Sequence, residues 1–424
     1  MILVSMSGQE VANMISERKM PFYIVLFACL LVVLGDLRNV ISPLGYWILW
    51  GMVFIVGVFS GCIKKTYFDA AFFGVTCGFL VLVFALLIVG LVNADIYTAY
   101  QGLKYLMIYA LLVVVYSNSQ FLQVNQFYYI AAISTLVGFS VFLLCKYVFV
   151  GYYILLGDGR QGSMIAYPGV LWKTNAFFAT FIVARILSSS FQKMIPAICI
   201  LLASVYLLLA DSSRTGFLWF SVIVAVFAML VFLINTTKFL SVLAIVLMVV
   251  GVFAVFNLDL IYGFLDGKSI LVLNRLFEGD PIRSQMISDG IVNAEACLPL
   301  GCGFQSSTSL VTGTPMVIHN VYLAILGDFG LLGEIGLLII VMSPMVVFAM
   351  REWIGGPNQG PLIYYKLAAC LGASCYCFIL LFHPLSSEMS EWGYWAIMLS
   401  WLSRLSNIHS SVRRDSSADT ELRV

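Results

Sequence analysis

Charge is what this sequence has least of. Only 10% of its residues are Asp, Glu, Lys or Arg, and three are histidine, against about a quarter charged in soluble domains. With 62% hydrophobic residues over 424 positions, a water-soluble globule is excluded and a lipid-solvated chain is expected. Net charge is nearly absent too. The 22 basic side chains face 21 acidic ones, leaving +1, so no basic field exists to hold nucleic acid. Residues 1–20 contain Glu10, Glu17, Arg18 and Lys19. They lack the apolar core and small-residue cleavage site of a signal peptide, so the first apolar helix is expected to be retained. An internal repeat is missing, and so is the alternation of polar and apolar residues that marks a membrane β-barrel.

What is present is a succession of long apolar runs. A helical span needs about 20 mostly apolar residues. Runs of this type occur at 21–35, 46–62, 69–92, 102–116, 127–150, 176–187, 195–210, 215–234, 239–256, 331–350, 362–382 and 392–405, and the short sixth run extends back toward Tyr167. These patterns predict an all-α polytopic membrane protein of about 12 transmembrane helices. A single integral domain covers residues 1–424, and one long loop at 257–318 separates the ninth span from the tenth. Most of the ten cysteines, such as Cys29, Cys77 and Cys199, lie inside the runs and act as small hydrophobes. Cys297 and Cys302 differ. They flank Leu-Pro-Leu-Gly in the long loop, where an oxidising compartment would permit a bridge or leave two free thiols.

Lys and Arg in short loops stay on the cytoplasmic side. With the N-terminus inside, Arg18, Lys19, Lys64, Lys65, Lys193, Lys238, Arg351, Arg404, Arg413 and Arg414 all fall in the cytoplasm, as does the C-terminus. The same assignment puts residues 151–173, 211–215, 257–318 and 383–391 outside, with Arg160, Arg214, Arg275 and Arg283 among them. Arginines kept against the positive-inside bias invite a functional explanation, with snorkelling at the interface as the plainer one.

Three polar segments carry the candidate chemistry. Asp211-Ser212-Ser213-Arg214-Thr215-Gly216 is an abrupt turn between two spans. There Asp211 and Ser213 suit helix caps, and Arg214 suits either an ion pair with Asp211 or an anionic ligand. Ile282-Arg283-Ser284-Gln285 opens an amphipathic helical stretch that runs to Pro299-Leu300-Gly301-Cys302-Gly303. Arg275 and Arg283 fit a solvated face or a substrate contact equally. Ile318-His319-Asn320-Val321-Tyr322-Leu323 precedes Gly327-Asp328-Phe329-Gly330-Leu331-Leu332-Gly333-Glu334, where the loop returns to the membrane. A neutral imidazole here suits the removal of a proton from a hydroxyl, or simply caps a helix. Arg160 sits in Gly157-Asp158-Gly159-Arg160-Gln161-Gly162, whose glycines allow close backbone approach to a ligand. No Asp-x-Asp pair suggests a metal site for sugar nucleotides.

In this order, Ser-Arg-Thr-Gly after a span, Arg opening an amphipathic helix, Pro-Leu-Gly-x-Gly, His-Asn-x-Tyr-Leu and Gly-Leu-Leu-Gly resemble the O-antigen ligase and O-antigen polymerase family. The likeness covers residues 211–334, and the N-terminal spans only by hydropathy. It implies a membrane-embedded, inverting glycan transferase of the bacterial inner membrane that works at the periplasmic face without cofactor or metal. The donor is an undecaprenyl-diphosphate-linked glycan. Arg214 and Arg283 match arginines associated with the diphosphate, and His319 matches the histidine associated with acceptor activation. Asn320, Arg160 and Arg275 are expected to contact substrate. A lipid-linked glycan as acceptor makes the protein a polymerase, the favoured reading, with a chain-length regulator as possible partner; lipid A-core as acceptor makes it a ligase. The rival from another class is a flippase or transporter of lipid-linked glycans. Against it stand the lack of paired halves with broken helices and the concentration of unusual charges at one face.

Overall fold

The computed structural model describes residues 8–157, 159–169, 171–234, 281–311, 313–355, 362–382 and 389–421. The helices run α1 (Gly8–Val33), α2 (Pro43–Phe59), α3 (Ala70–Val92), α4 (Ile96–Ser119), α5 (Val124–Tyr147), α6 (Leu171–Ser188), α7 (Phe191–Asp211) and α8 (Arg214–Ile234). After residues 235–280 come α9 (Pro281–Cys297), α10 (Val321–Gly355), α11 (Leu362–Leu380) and α12 (Met389–Glu421). Seven of the described helices are long and apolar enough to cross a membrane: α3, α4, α5, α7, α8, α10 and α11. Helices α1, α2 and α6 carry shorter apolar stretches, at Lys19–Val33, Pro43–Phe59 and Asn175–Ser188. The span expected at 239–256 and the first part of the expected loop lie outside the described residues.

The expectation of an all-helical chain meets one difference. Strand β1 (Tyr153–Leu155) pairs antiparallel with β2 (Gln161–Ser163) between α5 and α6, and β3 (Thr308–Val311) pairs with β4 (Thr314–Val317) before α10. Strands of three or four residues offer too little alternation to register in a sequence dominated by apolar runs. Helix α9 and the second hairpin also give the described part of the 257–318 loop regular structure. The hairpin is tied back to the helix: Asn293 Nδ2 donates to the Thr308 carbonyl at 2.7 Å and Gln285 Nε2 to the Leu310 carbonyl at 3.0 Å, and the Ser309 hydroxyl donates to Asp289.

Short polar residues start the apolar helices. Asp69 accepts the Phe72 N–H at 2.9 Å to begin α3, and Asp95 accepts the Tyr97 N–H at 2.9 Å to begin α4; each satisfies one of the orphan donors of a first turn. On α3 one face is buried through Val75, Phe79, Leu82 and Leu86, while Phe73, Leu80, Phe84 and Leu91 are exposed, Leu91 at 78%. Large apolar side chains left outside along a whole helix fit lipid, not water.

The first half of α12 forms the centre of the bundle. Trp392, Trp395 and Trp401 are almost wholly buried and meet Phe79, Tyr105, Phe127, Phe177, Phe181 and Tyr376 with ring centroids 4.7–5.5 Å apart. The helices' polar termini gather at two opposite ends. One holds Asp211 and the turn 93–98, the other Asp69 and the turn 117–125.

Candidate functional site

The site is built around a break in α10. Gly330 has φ 67° and ψ −163°, a region open essentially to glycine alone. A break inside a membrane helix frees backbone groups that hydrocarbon cannot satisfy. The segment after α9 satisfies them. Leu331 N donates to the Pro299 carbonyl at 3.0 Å, Cys302 N to the Gly327 carbonyl at 3.0 Å, and Gly303 N to the Asp328 carbonyl at 2.9 Å. Space is minimal: a Cβ on Gly330 would lie 2.2 Å from the Pro299 oxygen, and one on Gly301 2.5 Å from the Asp328 oxygen. Pro-Leu-Gly-x-Gly and Gly-Asp-Phe-Gly are thus the two halves of one joint.

Asp328 organises the rest of this strap. Its carboxylate accepts from Gln305 N and Ser307 N, both at 2.8 Å, and from the Ser306 hydroxyl at 3.0 Å. Cys297 and Cys302 form a disulfide that closes the loop between α9 and the strap, so of the two states left open by the sequence the bridged one is found. The far side of the strap docks on the α3–α4 turn, where Phe304 N donates to the Thr98 hydroxyl at 2.8 Å and Asn93 Nδ2 to the Gly301 carbonyl at 3.4 Å. Thr98 in turn donates to Asp95 at 2.5 Å. This hydrogen bond, with the Tyr97 N–H, outweighs desolvation and holds the Asp95 carboxyl below its ordinary range.

Each candidate residue on the far side of this joint stands at the start of a helix. Arg214 is the first residue of α8, Arg283 lies in the first turn of α9, and His319-Asn320 immediately precede α10. Asn320 caps α10, its Oδ1 accepting the Leu323 N–H at 3.1 Å. Two of these helices, α8 and α9, meet at the end of α11. The Arg283 guanidinium lies 5.7 Å from the centre of the Phe382 ring, Phe382 packs on Phe378 at 5.0 Å, and Phe378 stacks on Trp219 of α8 at 5.5 Å. Beside them, α9 packs on the α10 start so closely that a Cβ on Gly290 would lie 3.2 Å from Ile318 and Leu323. Helix N-termini carry partial positive charge and unpaired N–H groups, so an arginine at such a start adds to a field that favours anions.

Arg160 takes a different place from Arg283. Its Nη2 lies 2.6 Å from Asp211 Oδ1 and its Nε donates to the Asp211 carbonyl at 2.9 Å. Gly169 N also donates to that carboxylate, at 2.9 and 3.0 Å. Asp211 therefore ties the α5–α6 loop to the α7–α8 turn. Ser213 does what a cap predicts, its hydroxyl accepting the Gly216 N–H at 3.3 Å. Arg275 and His383 lie outside the described residues.

One residue of the site escapes sequence reasoning in its role, and one residue that the sequence does single out has a partner it does not reveal. Asp328 is legible only as an acid within an apolar run beside glycine, the one signal that marks it for a buried role; the strap it holds is distant in sequence. The Asp211 partner is likewise 51 positions away. Among the described residues, no group of three or more His, Cys, Asp or Glu side chains is placed to hold a metal ion. In comparisons with known proteins, no family model and no curated protein matches the chain.

Proposed function

We propose that this protein is a membrane-embedded glycan transferase that takes an undecaprenyl-diphosphate-linked glycan as donor and passes the glycan to an acceptor hydroxyl. The observation that supports this reading is that Arg214, Arg283 and the His319-Asn320 pair each stand at a helix start, with Arg283 and Trp219 of α8 both reaching the aromatic end of α11. Arginine forks bind phosphate oxygens in pairs and help most where negative charge develops, as on a departing diphosphate. His319 accepts the proton of the acceptor hydroxyl as its oxygen attacks the anomeric carbon. The bond from that carbon to the diphosphate oxygen breaks on the opposite face, and undecaprenyl diphosphate leaves with the electron pair. The reaction inverts the anomeric centre and uses cations in place of a metal. Asn320 holds the start of α10 and so the histidine before it; Arg160 and Arg275 complete the glycan contacts.

In this reading about twelve spans cross the bacterial inner membrane, both termini are cytoplasmic, and the Asp211 end faces the periplasm. The acceptor is another lipid-linked repeat, which makes the reaction a polymerisation; transfer to lipid A-core would make it a ligation. The test is transfer by protein reconstituted with defined donor and either acceptor. His319→Ala should keep the protein folded and lower transfer by about 100-fold. Arg214→Lys and Arg283→Lys keep charge but lose the planar fork, and should each lower transfer by about tenfold or more. Full activity in all three variants, or a strict divalent-ion requirement in the wild type, overturns the mechanism.

A further inference from the structure

Lys146, in the last turn of α5, takes no part in this chemistry. Its ammonium donates to Gln161 Oε1 of β2 at 3.0 Å and to the Tyr206 hydroxyl of α7 at 3.4 Å. Three rings frame it, those of Phe142, Tyr147 and Tyr206, with centroids 5.6–6.0 Å from Nζ. Aromatic faces attract a cation but do not neutralise it. Among the described residues no carboxylate pairs with Lys146, and Arg160, beside Gln161 in the chain, is spent on Asp211.

The hydrogen-bond inventory of this corner is one-sided. The Gln161 carbonyl and the Tyr206 oxygen already accept from Lys146, so what remains to be satisfied is mostly donor: the third ammonium N–H, the Gln161 amide N–H groups and the Tyr206 O–H. None of these meets an acceptor among the described residues. All three side chains are partly exposed, so they can be reached from outside the bundle.

Beside the donors runs an apolar edge. Leu144, Tyr147, Val148, Phe149 and Val150 are all exposed, Tyr147 at 67%, at the end of a helix long and apolar enough to cross a membrane. Large apolar side chains massed there fit acyl chains, not water. The occupant is therefore amphipathic, with an anionic head for the donors and apolar tails for the edge. One uncompensated cation matches the single negative charge of a phosphodiester, whereas a diphosphate brings more charge than the site neutralises. A head that carries its own cation, such as phosphocholine, is opposed by Lys146.

We propose that Lys146, Gln161 and Tyr206 form a headgroup site for an anionic phospholipid, whose phosphodiester oxygens accept from these three side chains while its acyl chains cover the exposed edge at 144–150. The site does not depend on the transferase reading. Lys146 supplies a point charge, which is how an ammonium holds phosphate. Because the three donors stand on α5, β2 and α7, a lipid bound to all of them also braces the joint between those elements.

The test is native mass spectrometry of the full-length protein in detergent, titrated with dioleoyl-phosphatidylglycerol or dioleoyl-phosphatidylcholine. The wild type should bind phosphatidylglycerol about tenfold more tightly, the scale of one hydrogen bond to a charged group, and that lipid should raise its thermal transition. Lys146→Gln should abolish both effects and Lys146→Arg, which keeps the charge, should retain them. Tyr206→Phe, which keeps the ring, should weaken phosphatidylglycerol binding about threefold. Lys193→Gln, which removes an exposed lysine at the other end of α7, should change neither. Equal binding of the two lipids by the wild type overturns the proposal whether or not Lys146→Gln folds, as does a preference that survives in Lys146→Gln. An equal loss in Lys193→Gln overturns it in favour of diffuse surface charge. Displacement of the lipid by inorganic phosphate would reassign the site to a free anion, and Lys146-dependent binding of undecaprenyl diphosphate in preference to phosphatidylglycerol would reassign it to the donor lipid; either result overturns the phospholipid assignment.

Discussion

The two ends of the bundle treat charge in opposite ways. At one end Asp69 has no exposed side-chain surface and accepts from Phe72 N at 2.9 Å, Ser403 at 2.6 Å, Arg351 at 3.0 Å and Asn407 at 3.2 Å. Arg351 is itself held by Asn407 at 2.6 Å and Ser406 at 3.2 Å, and Ser403 meets Tyr116 at 2.8 Å. The knot joins α3, α4, α10 and α12, and each of its charges is answered by several neighbours, which is how ions are tolerated out of water. At the Asp211 end the polar groups are dispersed instead over loops and helix starts. Asp211 and Asp328 hold loops, while Arg214, Arg283 and His319 remain half-buried at helix starts. A knot that binds four helices is suited to fixing the bundle, and helix starts that keep partial exposure are suited to meeting a ligand.

The contrast breaks most visibly at Asp69. Replacing it by alanine leaves Arg351 without its carboxylate, and loss of one partner of a buried pair costs about 3 kcal/mol. Asp69→Ala should lower the thermal transition and the yield of monodisperse protein in detergent, while transfer per folded molecule stays near wild type. A variant of normal stability would show the knot to be dispensable. An active-site loss without instability would show that the two ends are not separate in function.

Gly330→Ala acts on the other end, and through backbone. Its φ alone is strained for any residue with a Cβ, by about 1–3 kcal/mol, and that Cβ would run into the Pro299 oxygen. The variant should fold less stably and lose transfer, because the half-helix that carries His319 on its start is set by this joint. Reduction of the Cys297–Cys302 bridge should move the same readout in the same direction. Unchanged transfer in Gly330→Ala would separate the joint from the site.

The reach of the sequence follows the same division. Apolar runs are local, so the bundle helices were legible wherever they are described, even α12, whose residues 392–405 face protein on nearly all sides and carry Ser400 and Ser403. Helix starts were legible for the same reason: Arg283 opens α9, and Ser213 caps α8. The start of α10 was not, because the apolar run reads as beginning at 331, whereas helix already forms at Val321 and only Gly330 departs from it. What sequence could not supply were the pairings. Arg160 with Asp211, Asp69 with Ser403 and Asn407, and the strap on the α10 break join residues far apart in the chain. Their partners are set by packing, on which a local pattern is silent. The glycines of the two strap motifs were visible, but their shared cause, close backbone contact with each other, lies in three dimensions.

The smallest difference between the ends should appear in acid. Burial pushes the Asp69 carboxyl up, but hydrogen bonds from Ser403, Phe72 N and Asn407, with the Arg351 charge, outweigh it and hold the group below its ordinary value. A carboxyl depressed by folding stabilises the fold above the unfolded value, about 3.9, and loses that contribution as pH falls through the folded value. The wild-type thermal transition should therefore be flat from neutrality to about pH 4 in this respect and decline below it, as Asp69 takes up a proton and the knot loses its anion. Asp69→Asn, which cannot titrate, should start lower and decline less. Asp95 at the opposite end is also held low, yet it sits in open surroundings where solvent screens its interactions. Asp95→Asn should leave the acid slope unchanged. If it flattened the slope as much as Asp69→Asn does, the acid-sensitive element would lie at the strap's dock and not in the knot, and the structural and ligand-facing roles assigned to the two ends would have to be exchanged.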